Sequence, residues 1–148
     1  MELNMIKYYN YKEQSIRLKK AINHEFYLEA LFIEYAIFED RVQSILSYNH
    51  NEIISDRFVS IDRKLRKIKK LAEENNAIIH RYFNDGVIDE ILAWKEERNT
   101  LIHALMKQTL TKQELVNHAL KGNELVKKIC NKSTKYKKAI ERLKEKVN

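Results

Sequence analysis

Three residues in the stretch WKEERNTLIHAL, residues 94–105, are of types that can do chemistry together: Arg98, Asn99 and His103. A histidine side chain can accept or donate a proton near neutral pH. An arginine can hold phosphate oxygens in a fork and stabilise the charge that builds in a transition state. An asparagine can orient the histidine ring or bind the phosphate. This set suits the cleavage of an RNA phosphodiester bond and requires no metal ion.

The spacing of the three residues decides how well they could act together on a helix. His103 follows Asn99 by four residues, so these two side chains share a face. Arg98 precedes His103 by five residues, which places the two about 140° apart at 3.6 residues per turn. The site is therefore imperfect within one chain, and a second copy related by a two-fold axis would complete it. Two copies of His103 could then act as base and acid.

The composition limits the classes of protein that could carry such a site. The chain has 148 residues, no proline and two glycines, which favours one domain of long helices. Its formal net charge of +7 would attract polyanions such as RNA or DNA. A single cysteine, the lack of a signal-peptide pattern and the lack of a run of ~20 apolar residues together predict a cytoplasmic protein with no membrane partner.

Four helical patterns follow from the spacing of apolar residues. They cover about 13–48, 56–75 and 87–108, and then the stretch from Thr111 to about 147, with a short helical turn in the connection 74–86. Thr111 and Glu114 form a capping-box pattern, and Asn84 and Asp85 can cap the third helix. The fourth helix could bend at Gly122 or break at 131–134.

No segment alternates with period two, so strands are not expected. The pattern predicts an all-α protein, an antiparallel up-and-down four-helix bundle, with a looser helical array as the alternative. A single domain covers residues 1–148 and ends in a basic helix or tail from about residue 130. The first helix has a wider apolar surface than one core needs, so part of it could cover a deeper core or a partner subunit. The residues outside its main stripe are Phe32, Ile33, Ala36, Ile37 and Leu46.

The stretch RNTLIH has an arginine, a polar residue, three further residues and then a histidine, on the third helix of a small bundle. This pattern resembles the HEPN domain family, and YLEALFIEYAIFEDRVQSIL is similar in character to the family's first helix. The resemblance covers about residues 15–130. It implies a four-helix bundle that dimerises through the motif-bearing surface, and many members are metal-independent endoribonucleases of toxin–antitoxin, abortive-infection or CRISPR systems. The resemblance implies that the active-site residues of this chain are Arg98, Asn99 and His103.

The sequence departs from one variant of the family. Some of its toxins carry a tyrosine two residues after the histidine, which a nucleotidyltransferase antitoxin modifies. Leu105 occupies that position here, so this route of inactivation is not expected. Some family members only bind RNA or proteins, and kinship therefore does not by itself imply activity.

A second basic cluster lies in DRKLRKIKK, residues 62–70. Arg63, Lys67 and Lys70 line one helix face opposite Leu65 and Ile68 and are candidates for binding RNA phosphates; a solvated helix face is the simpler interpretation. The basic run from Lys127 to Lys146 could likewise bind RNA or an acidic antitoxin, or form a solvated tail helix.

The remaining polar and aromatic residues favour structural roles. The histidines His24, His50, His80 and His118 lack metal-ligand spacing, and no metal or cofactor is predicted. Trp94 is expected to pack in a core or interface. Glu34 and Glu39 interrupt the apolar first helix and could mark an interface, pair with Arg98 or reach solvent.

We therefore predict a metal-independent HEPN-type endoribonuclease of a toxin–antitoxin, abortive-infection or related defence system. His103 is the predicted general acid and base, Arg98 the transition-state stabiliser and Asn99 the orienting residue. The predicted partners are RNA, a second copy in a homodimer, and a cognate antitoxin protein. Two alternatives stay open: a non-catalytic HEPN-like module that binds RNA or a protein, in which Arg98 and His103 would point apart or be blocked, and an unrelated structural helical protein.

Overall fold

The computed structural model describes residues 2–48, 59–74, 77–107 and 111–147. This part of the chain contains helices and no strands, so the prediction of an all-α protein is confirmed. The helices are α1 (Glu2–Asn23), α2 (Tyr27–Ser47), α3 (Ile61–Glu73), α4 (Ala77–Phe83), α5 (Val87–Leu105) and α6 (Lys112–Val147). The predicted start of the second helix at residue 56 and the predicted end of the third at residue 108 lie outside the described residues.

The predicted continuous first helix over 13–48 is wrong, because the chain forms two helices there. Glu25 takes the left-handed conformation, with a φ of 61°, between the end of α1 and the start of α2. The Phe26 N–H donates to the carbonyl of Ala21 at 2.8 Å, and the Glu25 N–H donates to that of Ile22 at 3.2 Å. These two bonds form a Schellman motif, which satisfies the last carbonyls of α1 and ends the helix.

Replacing Glu25 with glycine is expected to raise the free energy of unfolding by about 0.5–1 kcal/mol, because glycine adopts the left-handed conformation without the steric cost of a Cβ atom. Urea denaturation of the two proteins measures this difference. The matched control is Glu39→Gly on an exposed position inside α2, which should lower the free energy of unfolding by about 1 kcal/mol. A loss of stability in both variants would contradict the proposed role of position 25.

The predicted helix starts are confirmed where the structure describes them. The Glu114 N–H donates to Thr111 Oγ1 at 3.2 Å, and the Thr111 N–H donates to Glu114 Oε2 at 3.0 Å, which is the reciprocal bonding of a capping box. The Val87 N–H donates to Asp85 Oδ1 at 3.3 Å at the start of α5. Helix α6 runs from Lys112 to Val147 without a break, so the possible break at 131–134 does not occur.

The chain divides into two compact units. Unit 1 holds Met1–Ile37 and Trp94–Glu124, and unit 2 holds Phe38–Ala93 and Leu125–Asn148. Helices α2, α5 and α6 therefore each contribute one stretch to unit 1 and another stretch to unit 2. The core of unit 1 is formed by the buried side chains of Leu18, Ala21, Ala30, Leu31, Ile33, Ile37, Trp94 and Ala119.

In unit 2, α3 buries the predicted stripe of Ile61, Leu65, Ile68 and Ala72.

The apolar residues outside the main stripe of the predicted first helix have two different environments. Ile33, Ile37 and Leu46 are buried and serve the cores, whereas Phe32 and Ala36 are exposed. Among the described residues, no helix is both long and apolar enough to cross a membrane.

Candidate active site on helix α5

The RNTLIH motif lies in the last two turns of α5, within unit 1. Acidic side chains occupy the first turn of this helix and His103 lies in its last turn, a distribution that the helix dipole favours. Asn99 and His103, which their four-residue spacing places on one face of the helix, are both exposed. Arg98 is different, because only 9 % of its surface is exposed.

Two aromatic rings of α2 hold the Arg98 side chain. The Arg98 Cζ lies 4.3 Å from the centre of the Tyr35 ring and 5.1 Å from the centre of the Phe32 ring. A guanidinium group over aromatic faces at these distances is stabilised by cation–π attraction. Arg98 Nη1 also donates to Asn99 Oδ1 at 3.5 Å. No local sequence pattern indicates this pair of rings, because Phe32 and Tyr35 are far from Arg98 along the chain.

The structure thus brings together two of the three predicted catalytic residues. Arg98 and Asn99 are in contact, and within the described residues no hydrogen bond joins either of them to His103. The helical rotation between positions 98 and 103 explains this separation, since one side chain turns towards α2 and the other towards solvent. A site that uses both side chains on one phosphate therefore needs a second copy of the chain or a movement of Arg98.

A buried layer of side chains lies next to Arg98 in unit 1. The His118 imidazole of α6 stacks on the Trp94 indole of α5, with ring centres 4.9 Å apart and an angle of 8° between the planes. Trp94 Nε1 donates to the backbone carbonyl of His118 at 3.0 Å. His118 Nδ1 lies 3.3 Å from Glu97 Oε2. The expected packing role of Trp94 is confirmed, and this layer joins α5 to α6 within the unit.

The charge of His118 is set by its surroundings. Burial lowers the pKa of His118; the neighbouring Glu97 carboxylate and the Trp94 backbone oppose this shift, and the positive charge of Arg98 adds to it. A lowered pKa keeps the imidazole neutral at neutral pH. In the neutral form, an Nδ1–H that donates to Glu97 is the tautomer that the geometry favours. His118 thus places no second positive charge beside Arg98.

Glu34 is a buried acid in the same unit, with 0 % of its surface exposed. Within the described part of the chain, neither of its carboxyl oxygens has a hydrogen-bond partner. The suggested pairing of Glu34 with Arg98 is therefore wrong. Burial raises the pKa of Glu34 to about 9, so the side chain is protonated and neutral at neutral pH.

The Glu34 carboxyl packs against the backbone of α6 at Gly122. A Cβ atom on residue 122 would lie 2.5 Å from Glu34 Oε1 and 2.7 Å from Oε2. Contacts this short would force the buried Glu34 carboxyl to move, and glycine at position 122 avoids this because it has no Cβ atom. The sequence interpretation of Gly122 as a bend in α6 missed this contact.

The predicted RNA-binding residues Arg63, Lys67 and Lys70 lie on α3 in unit 2. Arg63 and Lys70 are exposed and Lys67 is half-buried, while Leu65 and Ile68 on the opposite face are buried. The predicted arrangement of these faces is confirmed. The Lys70 Nζ lies 3.9 Å from Glu74 Oε1, and other cations of α3 also have acidic neighbours. Binding of RNA by this face stays a prediction.

No group of three or more histidine, cysteine or acidic side chains within the described residues could hold a metal ion.

Comparisons of the chain with protein-family models, with curated proteins and with solved structures find no match.

Proposed function

We propose that this chain is a HEPN-like, metal-independent endoribonuclease that acts in a toxin–antitoxin, abortive-infection or related defence system. The observation that supports this proposal most is the placement of Arg98 and Asn99. The Arg98 guanidinium is held on two aromatic rings and bonded to Asn99. An exposed histidine, His103, follows Asn99 by one helical turn on the same helix. A fixed cation and an accessible acid–base group are the two kinds of side chain that phosphodiester cleavage uses.

In the proposed reaction, His103 removes the proton from a ribose 2′-hydroxyl. The 2′-oxygen attacks the neighbouring phosphorus, and the bond from phosphorus to the 5′-oxygen breaks. The departing 5′-oxygen takes a proton from a second, protonated His103, which belongs to another copy of the chain. The products are a 2′,3′-cyclic phosphate and a 5′-hydroxyl, and Arg98 stabilises the charge on the phosphate oxygens during the reaction.

The Tyr35 and Phe32 rings give Arg98 a defined orientation before substrate arrives. A side chain that is already held loses little conformational freedom when it binds phosphate, and its charge needs no rearrangement during the reaction. Asn99 lies beside the guanidinium and is exposed. A phosphate that binds near Asn99 would meet the edge of Arg98.

Exposed apolar side chains on α2 support a homodimer as the active form. Phe32 is 52 % exposed although it contacts Arg98, and Leu28, four residues earlier on the same face, is 37 % exposed. A second copy that covers these side chains would remove apolar surface from water beside the motif.

The proposed fold is an antiparallel four-helix bundle of HEPN type. The proposed location is the cytoplasm. A cognate antitoxin protein is a proposed partner.

A second candidate function is a non-catalytic HEPN-like module that binds RNA or a protein. The low exposure of Arg98 favours it, because a residue with only 9 % of its surface exposed presents little of its fork to a phosphate. The separation of Arg98 from His103 points in the same direction. In this module, Arg98 would fasten α5 to α2 and His103 would be an ordinary surface residue.

Cleavage of RNA by the purified chain in the presence of EDTA distinguishes the two functions. We expect cleavage of a single-stranded RNA with 2′,3′-cyclic phosphate ends, and no cleavage of the same strand with methylated 2′-hydroxyls, because the attacking group is blocked. Binding of several RNAs without cleavage would support the non-catalytic module. Cleavage of the methylated strand would show that the 2′-hydroxyl is not the nucleophile and would contradict the proposed reaction.

A further inference from the structure

The positive charge of the chain is concentrated in one segment. Residues 125–148 contain nine lysines and arginines and two glutamates, so this segment alone has a formal charge of +7. The whole chain also has a net charge of +7, and the preceding 124 residues are balanced, with 19 basic and 19 acidic side chains. Residues 125–147 are the C-terminal part of α6 and belong to unit 2. The basic character therefore belongs to one helix segment and not to the general surface.

Four of these cations form a continuous exposed face, which we call the α6 basic face: Lys127, Lys135, Lys138 and Arg142. Their separations of eight, three and four residues keep them within about 80° of each other around the helix axis. The face extends about 22 Å along the axis, at 1.5 Å per residue. The exposed residues between the cations include Asn131 and Thr134, and the two glutamates of the segment come only near its C-terminal end.

Several other basic groups of unit 2 have acidic partners. Elsewhere on α6, Lys128 lies 3.4 Å from Glu90, and Lys132 pairs with Asp85 and donates to the Tyr82 carbonyl at 3.1 Å. On α3, Arg66 and Lys69 have carboxylate partners at 2.8 and 2.9 Å. Within the described residues, none of the four cations of the α6 basic face takes part in an ion pair.

We propose that the α6 basic face binds the phosphodiester backbone of a nucleic acid. A row of cations with asparagine and threonine between them supplies the groups that proteins use to contact phosphate oxygens. One strand of a duplex carries one negative charge per about 3.4 Å, so a face of this length spans about six phosphates along that strand. A protein partner would instead need an apolar or aromatic centre, and Asn131 and Thr134 do not provide one. The inference rests on the charges of unit 2 and does not depend on cleavage by His103.

The test is the binding of a fluorescein-labelled single-stranded RNA of 20 nucleotides whose 2′-hydroxyls are methylated. This probe keeps its phosphate charges but cannot be cleaved by the proposed reaction. A failure of the binding proposal can therefore be distinguished from a failure of the cleavage proposal. Fluorescence anisotropy between 50 and 200 mM NaCl gives the affinity and its dependence on salt. The variant replaces Lys127, Lys135, Lys138 and Arg142 by glutamine. We expect at least a tenfold weaker affinity, and a salt slope smaller by about 3, at about 0.7 for each of four phosphate contacts.

The matched control variant removes the same number of charges from exposed positions of unit 1, Lys12, Lys19, Lys20 and Lys112. It should keep the affinity within twofold and the salt slope unchanged. An equal loss in the two variants would show that only net charge matters and would overturn the proposal, as would no binding by the unmodified chain at 50 mM NaCl. Equal binding of a polyglutamate peptide would overturn it in favour of an acidic protein. A duplex of the same sequence distinguishes double-stranded from single-stranded targets.

Discussion

Replacing Glu34 with glutamine is expected to raise the free energy of unfolding by up to about 4 kcal/mol at pH 7.5 and to change it little at pH 4.5. Glu34 is fully buried against Gly122, and within the described residues its carboxyl oxygens have no hydrogen-bond partner. Glutamine has nearly the same shape and is neutral at every pH. It therefore keeps the packing and removes the cost of protonating an acid during folding.

The sign of this effect follows from the two pKa values of Glu34. Burial raises the pKa from its ordinary value of 4.5 to about 9 in the folded protein. Between these values folding takes up a proton, so the stability of the unmodified chain is fully present below pH 4.5 and is lost as pH rises to 9. The loss is about 1.4 kcal/mol for each pH unit and levels off above the folded pKa. The glutamine variant has no such slope from this position.

Urea denaturation at pH 4.5, 6, 7.5 and 9 measures the difference between the two proteins. The matched control is Glu39→Gln on the same helix, where the side chain is exposed; a change within about 0.5 kcal/mol is expected there. A difference between Glu34→Gln and the unmodified chain that does not grow with pH would show that the carboxyl finds a partner or reaches water.

Replacing His103 with alanine is expected to lower the rate of RNA cleavage by about 10²–10⁴, the usual contribution of general acid–base catalysis. The side chain is exposed at the end of α5, so its removal should leave the free energy of unfolding within about 0.5 kcal/mol. The matched control is His24→Ala, an exposed histidine of unit 1 outside the motif, which should cleave at the rate of the unmodified chain.

A companion variant, Arg98→Lys, keeps the positive charge but lacks the planar fork that stacks on rings and holds two phosphate oxygens. We expect it to cleave more slowly than the unmodified chain, with a further loss of stability because the packing on Tyr35 and Phe32 weakens. Cleavage that survives both His103→Ala and Arg98→Lys would show that RNTLIH is an ordinary helix surface. Slow cleavage by His24→Ala as well would indicate a general effect of losing a histidine.

Local patterns predicted those parts of the fold that depend on neighbours along the chain. The apolar spacing in α3 identified its buried stripe, and Thr111 with Glu114 identified the start of α6. The break between α1 and α2 was missed because it contains neither glycine nor proline. There a Schellman motif forms around Glu25, a residue that rarely takes the left-handed conformation.

The candidate site was predictable only in part for a related reason. Residue types and spacing selected Arg98, Asn99 and His103 and predicted that Asn99 and His103 share a face, which the structure shows to be exposed. The partners of Arg98 come from another helix, so no local pattern could indicate that its guanidinium lies on Tyr35 and Phe32. The sequence likewise predicts a structural role for His118, but no local pattern indicates that its ring stacks on Trp94 beside the motif.

The close approach of Glu34 and Gly122 has a consequence for how this protein can evolve. A larger residue at position 122 would require the buried Glu34 side chain to move or to be replaced by a smaller one, so we expect substitutions at the two positions to be linked. A lineage that keeps glutamate at position 34 should keep glycine at position 122, and a relative with alanine at 122 should carry a shorter side chain at 34. This linked pair, distant along the chain, is a mark by which divergent descendants of the same fold can be recognised.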